Sequence, residues 1–240
     1  MRQYKNVLTG PKTPFAIVEA YKEIRTNMLY TARGLKCPIY ALTSAQAHAG
    51  KSVTSANLAS SFAELGKRVL LIDADLRNPV QDKIFSLNRS AGVSEIAAGL
   101  CEGLEAVAVK THIEGLDLVP AGHIPPNPSE LLSSAHFEAF LRTAQESYDA
   151  IFIDFPPAGV VVDALIPAHL ITGYAVVVRS GLDDRRAVSA LLASLNGVGA
   201  KVIGFIMNGI DPKVGRMYEG SRAYKYRSNY YYGDKGPKQV

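Results

Sequence analysis

Short β-branched apolar runs alternate with longer amphipathic stretches along most of this 240-residue chain. Two of the runs, YAVVVR at Tyr174–Arg179 and VIGFIMN at Val202–Asn208, are nearly continuous rather than apolar at every second position. Strands of that kind are covered on both faces, as in a parallel sheet. The pattern predicts strands over Ile39–Ser44, Val69–Asp73, Leu116–Pro120, Ala150–Asp154, Tyr174–Arg179 and Val202–Asn208. Between them it predicts helices over Ser52–Leu65, Ser129–Glu146 and Arg185–Leu195, with a short one near Ala164–Leu170. Ahead of the first strand, Ile17, Tyr21, Ile24 and Met28 recur at helical spacing opposite Lys22 and Glu23, so Pro14–Tyr30 reads as a further helix. Strands that alternate with helices require βαβ crossovers. The predicted fold class is therefore α/β, a doubly wound, mostly parallel sheet with helices on both faces. Ligands of such sheets bind beyond the carboxyl ends of the strands.

At the carboxyl end of the first predicted strand, Ala45-Gln46-Ala47-His48-Ala49-Gly50-Lys51-Ser52 leads straight into a helix. A strict phosphate loop has Gly at the place of Ala45, but strand, loop, Gly-Lys-Ser and helix follow in the order of a P-loop NTPase. Backbone N–H groups from Ala47 to Val53 and the helix N-terminus would cradle phosphates. Lys51 would reach the β- and γ-phosphates of ATP, and the Ser52 hydroxyl would ligate Mg²⁺. Two further strands end in carboxylates: Asp73 and Asp75 after Val69-Leu-Leu-Ile, and Asp154 after Ile151-Phe-Ile, followed by Phe-Pro-Pro. Taken singly, an Asp after an apolar strand is more often a helix cap. Three of them on one edge beside Gly-Lys-Ser are what hydrated Mg²⁺ and a reacting hydroxyl require.

The C-terminal stretch is different in kind. Six of the twelve tyrosines, Tyr218, Tyr224, Tyr226, Tyr230, Tyr231 and Tyr232, fall within fifteen residues among Gly, Lys, Arg, Ser and Asn. Such a segment cannot bury enough surface to offset its ordering entropy, so its composition predicts a flexible tail. Tyrosines outside any core or regular element are best explained as substrates of phosphate transfer. From Pro212 to Val240 seven Lys or Arg stand against two Asp or Glu, a net +5, which leaves about −1 of the chain's +4 for everything before it. The basicity belongs to the tail, and no nucleic-acid partner is expected. With two cysteines, no His pair at i, i+4 and no apolar run of 18 residues, the chain reads as a cytosolic protein without a disulfide framework or a membrane span.

These residues together resemble the bacterial tyrosine kinases, a branch of the deviant-Walker P-loop ATPases that also contains septum- and plasmid-positioning ATPases. Asp73–Pro79, reading DADLRNP, is similar to the family's second Walker A-type motif, and IFIDFPP is similar to its Walker B motif. Pro125-Pro-Asn-Pro-Ser-Glu-Leu-Leu132 and the tyrosine-rich tail also resemble the family. The resemblance implies that Lys51 and Ser52 bind phosphate and Mg²⁺ and that Asp75 and Asp154 serve the metal. It further implies that Asp73 accepts the tyrosyl proton and that Asn208 contacts adenine. Glu19, Lys22 and Arg25 resemble a motif that docks subunits into a ring; Lys22 stands where an arginine is usual and loses its bidentate fork. Implied partners are protein tyrosine substrates, further copies of the chain, and a membrane adaptor whose cytoplasmic tail activates the kinase at the inner face of the membrane. The implied role is control of capsular or exopolysaccharide synthesis and export. The corresponding division of the chain is a helical docking segment (1–35), a kinase domain (36–211) and the tail (212–240).

Two other readings stand beside this one. The first alternative is an ATPase driven by nucleotide-dependent dimerisation; Gln46, standing where positioning ATPases carry a signature Lys, and the terminal tyrosine cluster, which they lack, both count against it. His48 stands where relatives tend to have Gly. If that position needs φ > 0, a His costs about 1 kcal/mol or more, and a nucleotide-binding regulator with impaired turnover is the second alternative. The eighteen residue-to-residue steps from Pro212 to Tyr230 span at most about 60 Å extended and average about 24 Å as a flexible chain, enough for phosphorylation in trans.

Overall fold

The structure, a computed structural model, describes residues 13, 15–88 and 91–210. The tail Pro212–Val240, with its six tyrosines, lies outside the described residues. The first compact unit runs to Asn208 and includes the N-terminal helix.

Seven strands form one sheet: β1 (Ile39–Ser44), β2 (Val69–Asp73), β3 (Val109–Lys110), β4 (Leu116–Val119), β5 (Ala150–Asp154), β6 (Gly173–Arg179) and β7 (Val202–Asn208). Their order is β3-β4-β2-β5-β1-β6-β7, parallel throughout except for the β3–β4 edge pair. Alternate residues of each central strand feed two cores. Ile39, Ala41, Leu70, Ile72, Ile151 and Ile153 point to one face, and Tyr40, Leu42, Val69, Leu71 and Phe152 to the other. The first face is covered by α6 (Ala135–Ser147) through Phe137, Phe140 and Leu141, and by α7 (Arg185–Gly197) through Leu191 and Leu195. The second face is covered by α1 (Phe15–Thr31) and α2 (Lys51–Ala63). Here Tyr40, Phe62 and Phe152 meet with ring centroids 4.9–5.8 Å apart. Such pairs add about 0.5–1.5 kcal/mol each beyond their buried area.

The connection from β1 runs toward β2, whereas that from β5 runs toward β6, so these adjacent strands part company at their carboxyl ends. That is the topological switch point where doubly wound sheets bind ligands. Register sharpens the geometry: Asp154 stands opposite Leu42 on one side and opposite Asp73 on the other. The two carboxylates are level across neighbouring strands.

The elements depart from expectation in three places. The single helix expected over Ser129–Glu146 is two, α5 (Pro128–Leu132) and α6. Ser134 breaks them by turning extended and accepting the Phe137 N–H at 3.2 Å, a capping bond that competes with helix continuation. The helix expected near Ala164–Leu170 is only a 3₁₀ turn at Ala168–Leu170. Two short helices, α3 (Gln81–Ile84) and α4 (Val93–Ala97), and the two-residue β3 are too brief to leave a period in the sequence.

Candidate active site

The loop after β1 is shaped by two left-handed backbone positions and two side chains that hold its carbonyls. Gly50 is left-handed, with φ 93° and ψ 16°, and a Cβ there would collide with the Asn208 side chain. His48 is also left-handed, at φ 64°, the condition under which it carries a conformational cost of about 1 kcal/mol or more. Its carbonyl is held by Arg179 Nη1 at 3.0 Å, and the Ala49 carbonyl by Asn208 Nδ2 at 3.1 Å. The strand ends beyond β6 and β7 thus fasten the loop from outside.

Helix α2 begins at Lys51 with no side-chain cap, whereas α6 and α7 are capped by Ser134 and Asp184. Its first N–H groups therefore remain available to an anion, aided by the helix dipole. They open onto a cleft of about 1110 Å³ lined by Ala47, His48, Gly50, Lys51, Ser52 and Val53 on one side. Asp75, Arg77, Pro79, Val80, Lys83 and Ile84 line another part, with Ile124, Pro157 and Arg179–Leu182 completing it.

Lys51 Nζ bonds Asp75 Oδ2 at 2.9 Å. Burial works against the ammonium charge, but the Asp154 and Asp75 carboxylates outweigh it and raise the Lys51 pKa. Of the three acidic residues only Asp75 lines the cleft. Asp73 and Asp154 lie behind it, 1% and 0% exposed. Burial, together with the facing Asp154, pushes Asp73 well above the usual carboxylate range. Burial also raises Asp154, opposed by Lys51 and by hydrogen bonding from the Ser52 and Gln81 side chains. Asp73 is further engaged by backbone: Oδ1 accepts from Asp75 N at 3.2 Å, and Oδ2 from Val80 and Gln81 N at 3.1 and 3.0 Å. Asp154 Oδ2 accepts from Gln81 Nε2 at 2.9 Å, while its Oδ1 is buried without a hydrogen-bond partner.

This donor set fits a magnesium ion. No three His, Cys, Asp or Glu among the described residues could cage an ion alone. Mg²⁺ does not ask for that, because it keeps several waters and takes one or two carboxylates plus substrate phosphates. Ser52 and Asp75 at the cleft and the unpartnered Asp154 oxygen would supply the protein's share.

Residues 39–198 match the family described as an AAA domain. The tyrosine-protein kinase YwqD of Bacillus subtilis is 35% identical over 208 residues, covering 87% of this chain and 87% of that protein. The tyrosine-protein kinase CpsD of Streptococcus agalactiae is 36% identical over 197 residues, 82% of this chain and 85% of its own. Among solved structures, the kinase domain of the Escherichia coli tyrosine kinase ETK superposes with a TM-score of 0.81 at 31% identity, covering 88% of this chain and 82% of that one. The chain belongs to the bacterial tyrosine kinases.

In this kinase the phosphate loop, the two Walker-type acidic motifs and the cleft come together at one sheet edge. Two of the expected site residues also make contacts within the chain. Asn208 does not line the cleft; its amide supports the Ala49 carbonyl from behind. Arg25, expected at a subunit contact, donates from Nη1 to the Ser61 carbonyl at 2.5 Å and the Ser61 hydroxyl at 3.1 Å, joining α1 to α2 within the chain. Glu19 and Lys22 pair with each other at 2.7 Å on the more open side of α1.

Other residues were not singled out from the sequence. Arg77, in the cleft wall, grips Asp163 with two bonds of 2.7 and 3.0 Å, and Ser129 adds a third at 2.7 Å. Burial alone would raise Asp163, but these donors win and its pKa is lowered. The clamp ties the DADLRNP loop to the segment after Phe-Pro-Pro and to α5. Arg179 announces itself only as a charge ending an apolar run. Gln81 leaves no signal at all.

Proposed function

We propose that this tyrosine kinase transfers the γ-phosphoryl group of Mg·ATP to tyrosine hydroxyls, first among them Tyr218, Tyr224, Tyr226, Tyr230, Tyr231 and Tyr232 of a neighbouring copy. The observation that carries the reading is Lys51 at the uncapped start of α2, paired with the one carboxylate that lines the cleft. Phosphoryl transfer is mostly positioning and charge neutralisation. Lys51 and the first N–H groups of α2 neutralise and orient the phosphates. Ser52, Asp75 and Asp154 hold Mg²⁺, which supplies further neutralisation of the transferring group. Asp73 accepts the tyrosyl proton; its raised proton affinity suits that task. Because three backbone N–H groups occupy its oxygens, the loop 75–81 has to loosen for the transfer.

Glu19 and Lys22, on the open side of α1, face the next subunit of a ring. The relatives named tyrosine-protein kinases include Wzc, of which this chain spans 32%, and CpsD, of which it spans most. On this reading, activation comes from the cytoplasmic tail of a membrane adaptor, and the kinase acts on capsular or exopolysaccharide synthesis. No helix among the described residues is long and apolar enough to cross a membrane.

Incubation with radiolabelled ATP followed by peptide mapping tests the reading. Label is expected on the tail tyrosines, and Lys51→Met is expected to abolish it in a protein that still folds, at a midpoint lowered by the buried carboxylates left without their cation. Undiminished labelling of the Lys51→Met protein sinks the site assignment. ATP hydrolysis without labelled tyrosine would favour a positioning ATPase instead.

A further inference from the structure

Gln81 is completely buried at the first residue of α3. Its backbone N–H donates to Asp73 Oδ2 at 3.0 Å. Its side-chain Nε2 lies 2.9 Å from Asp154 Oδ2, 3.0 Å from the Ser52 carbonyl and 3.0 Å from Ser55 Oγ. A carbonyl oxygen and a carboxylate oxygen only accept, so the amide nitrogen must be the atom that faces them.

That orientation has a consequence for the oxygens. Gln81 Oε1 and Asp154 Oδ1 are both buried without a hydrogen bond of good geometry among the described residues, although the Ser52 hydroxyl lies near enough to the Asp154 carboxyl to lower its proton affinity. They belong to two groups joined by a hydrogen bond. A buried acceptor without a donor costs about 1–3 kcal/mol, and two on one bonded pair point to a ligand that brings donors. A hydrated divalent cation brings water protons and positive charge together. Apolar filling of the same space would leave both oxygens in debt.

We infer that Gln81 is a positioning residue for the metal. By occupying Oδ2 of Asp154 it leaves Oδ1 turned to the cation. By holding the Ser52 carbonyl it fixes the residue that offers the hydroxyl relative to that carboxylate. Its backbone bond to Asp73 links the same unit to the second acidic motif. The inference rests on the Mg·ATP reading of this cleft and adds to it a residue that touches neither nucleotide nor the reacting hydroxyl.

The competing reading is a buried glutamine that merely staples α2 to the sheet edge, and the Ser55 bond is of that sort. Two variants of the full chain separate them. Gln81→Met keeps the volume and loses the amide; Ser55→Ala removes one stapling bond and leaves the Asp154 link. ADP affinity is measured by calorimetry with and without Mg²⁺, alongside the unfolding midpoint of each ligand-free protein. Partners that orient metal ligands are worth about 10–100-fold in metal affinity. Gln81→Met is therefore expected to cut the Mg²⁺ enhancement of ADP affinity by about tenfold or more while leaving metal-free ADP affinity unchanged. Ser55→Ala is expected to keep the full enhancement. Should Gln81→Met not fold, Gln81→Asn, one methylene too short to reach Asp154, carries the same expectation. A wild-type enhancement in the Gln81 variant, with or without a lower midpoint, overturns the inference and leaves a staple. If wild-type protein itself shows no enhancement by Mg²⁺, the metal reading of the cleft falls and the role of Gln81 falls with it.

Discussion

Asp75 and Asp73 sit two positions apart and face different surroundings, so their replacements should behave differently. Asp75 places a negative charge in the wall of a cleft built for a polyanion. Asp75→Asn is expected to raise ADP affinity in the absence of metal, by about tenfold or about 1.4 kcal/mol, and to remove most of the Mg²⁺ enhancement. Asp73 does not line the cleft, so Asp73→Asn is expected to bind Mg·ADP nearly as wild type does and to slow tyrosine labelling. Calorimetry and a labelling rate, with thermal unfolding to monitor the loop that Asp73 holds, check both; equal loss of nucleotide binding in the two variants refutes the division. His48 invites a second substitution. It adopts φ 64° with its carbonyl held by Arg179, so the loop reaches the left-handed conformation despite the side chain. His48→Gly relieves about 1–2 kcal/mol of strain but returns about 0.5–1 kcal/mol of unfolded-chain entropy. Turnover is then expected to stay within about fivefold of wild type, the equivalent of about 1 kcal/mol. A gain of several orders of magnitude would instead mark His48 as the reason for a kinase held idle.

At the scale of elements, α1 is fastened to the sheet by its own chain. Arg25 reaches the Ser61 carbonyl, the Tyr40 hydroxyl donates to the Met28 carbonyl at 2.8 Å, and Met28 and Ala32 join the core. Arg25→Ala therefore leaves a buried carbonyl and hydroxyl short of a donor, a loss of about 1–3 kcal/mol. It is expected to lower the unfolding midpoint of dilute, monomeric protein. Glu19→Ala is expected to leave that midpoint alone and weaken assembly. Thermal unfolding and sedimentation on the two variants test the split, and an unchanged midpoint in Arg25→Ala would leave the subunit contact as the role of Arg25. Helix α1 also shows where reading a sequence stops. Its period is local and strong, so its span was legible to within a residue, but the Ser61 partner is 36 residues away and no pattern announces it. The β strands were legible because burial on both faces writes continuous apolar runs. The phosphate loop was legible because its chemistry lies within eight consecutive residues. The break at Ser134 was hidden because a capping serine and a mid-helix serine look alike until the neighbouring backbone is known. Gln81 was hidden for a stronger reason: its side-chain partners lie 26, 29 and 73 residues away, and only the fold assembles them.

For the whole molecule the deciding quantity is the charge of the tail against the charge of the site. Between Pro212 and Val240 the sequence carries a net +5 and six tyrosines, whereas the site it would serve contains three closely set carboxylates. Six phosphates add about −9 to −12, so a segment attracted to an acidic surface becomes one that is repelled by it. On the proposed reading, unmodified tails that entered neighbouring active sites would hold subunits together, with Glu19 and Lys22 of α1 at the seam. Modified tails are products and anions, and both properties favour release. The Lys51→Met protein, or dephosphorylated wild type with Mg²⁺ and nucleotide, is therefore expected to form larger assemblies than phosphorylated protein. Replacing all six tail tyrosines by Phe is expected to preserve the large form under ATP, since the basic charge remains and no phosphate can be added. The effect should shrink as salt rises, because exposed charges are screened within about 8 Å at physiological ionic strength. Sedimentation at matched concentration and salt decides the matter. Equal mass for the phosphorylated and unphosphorylated proteins would mean that the phosphorylated tail is read by a partner and does not govern the ring.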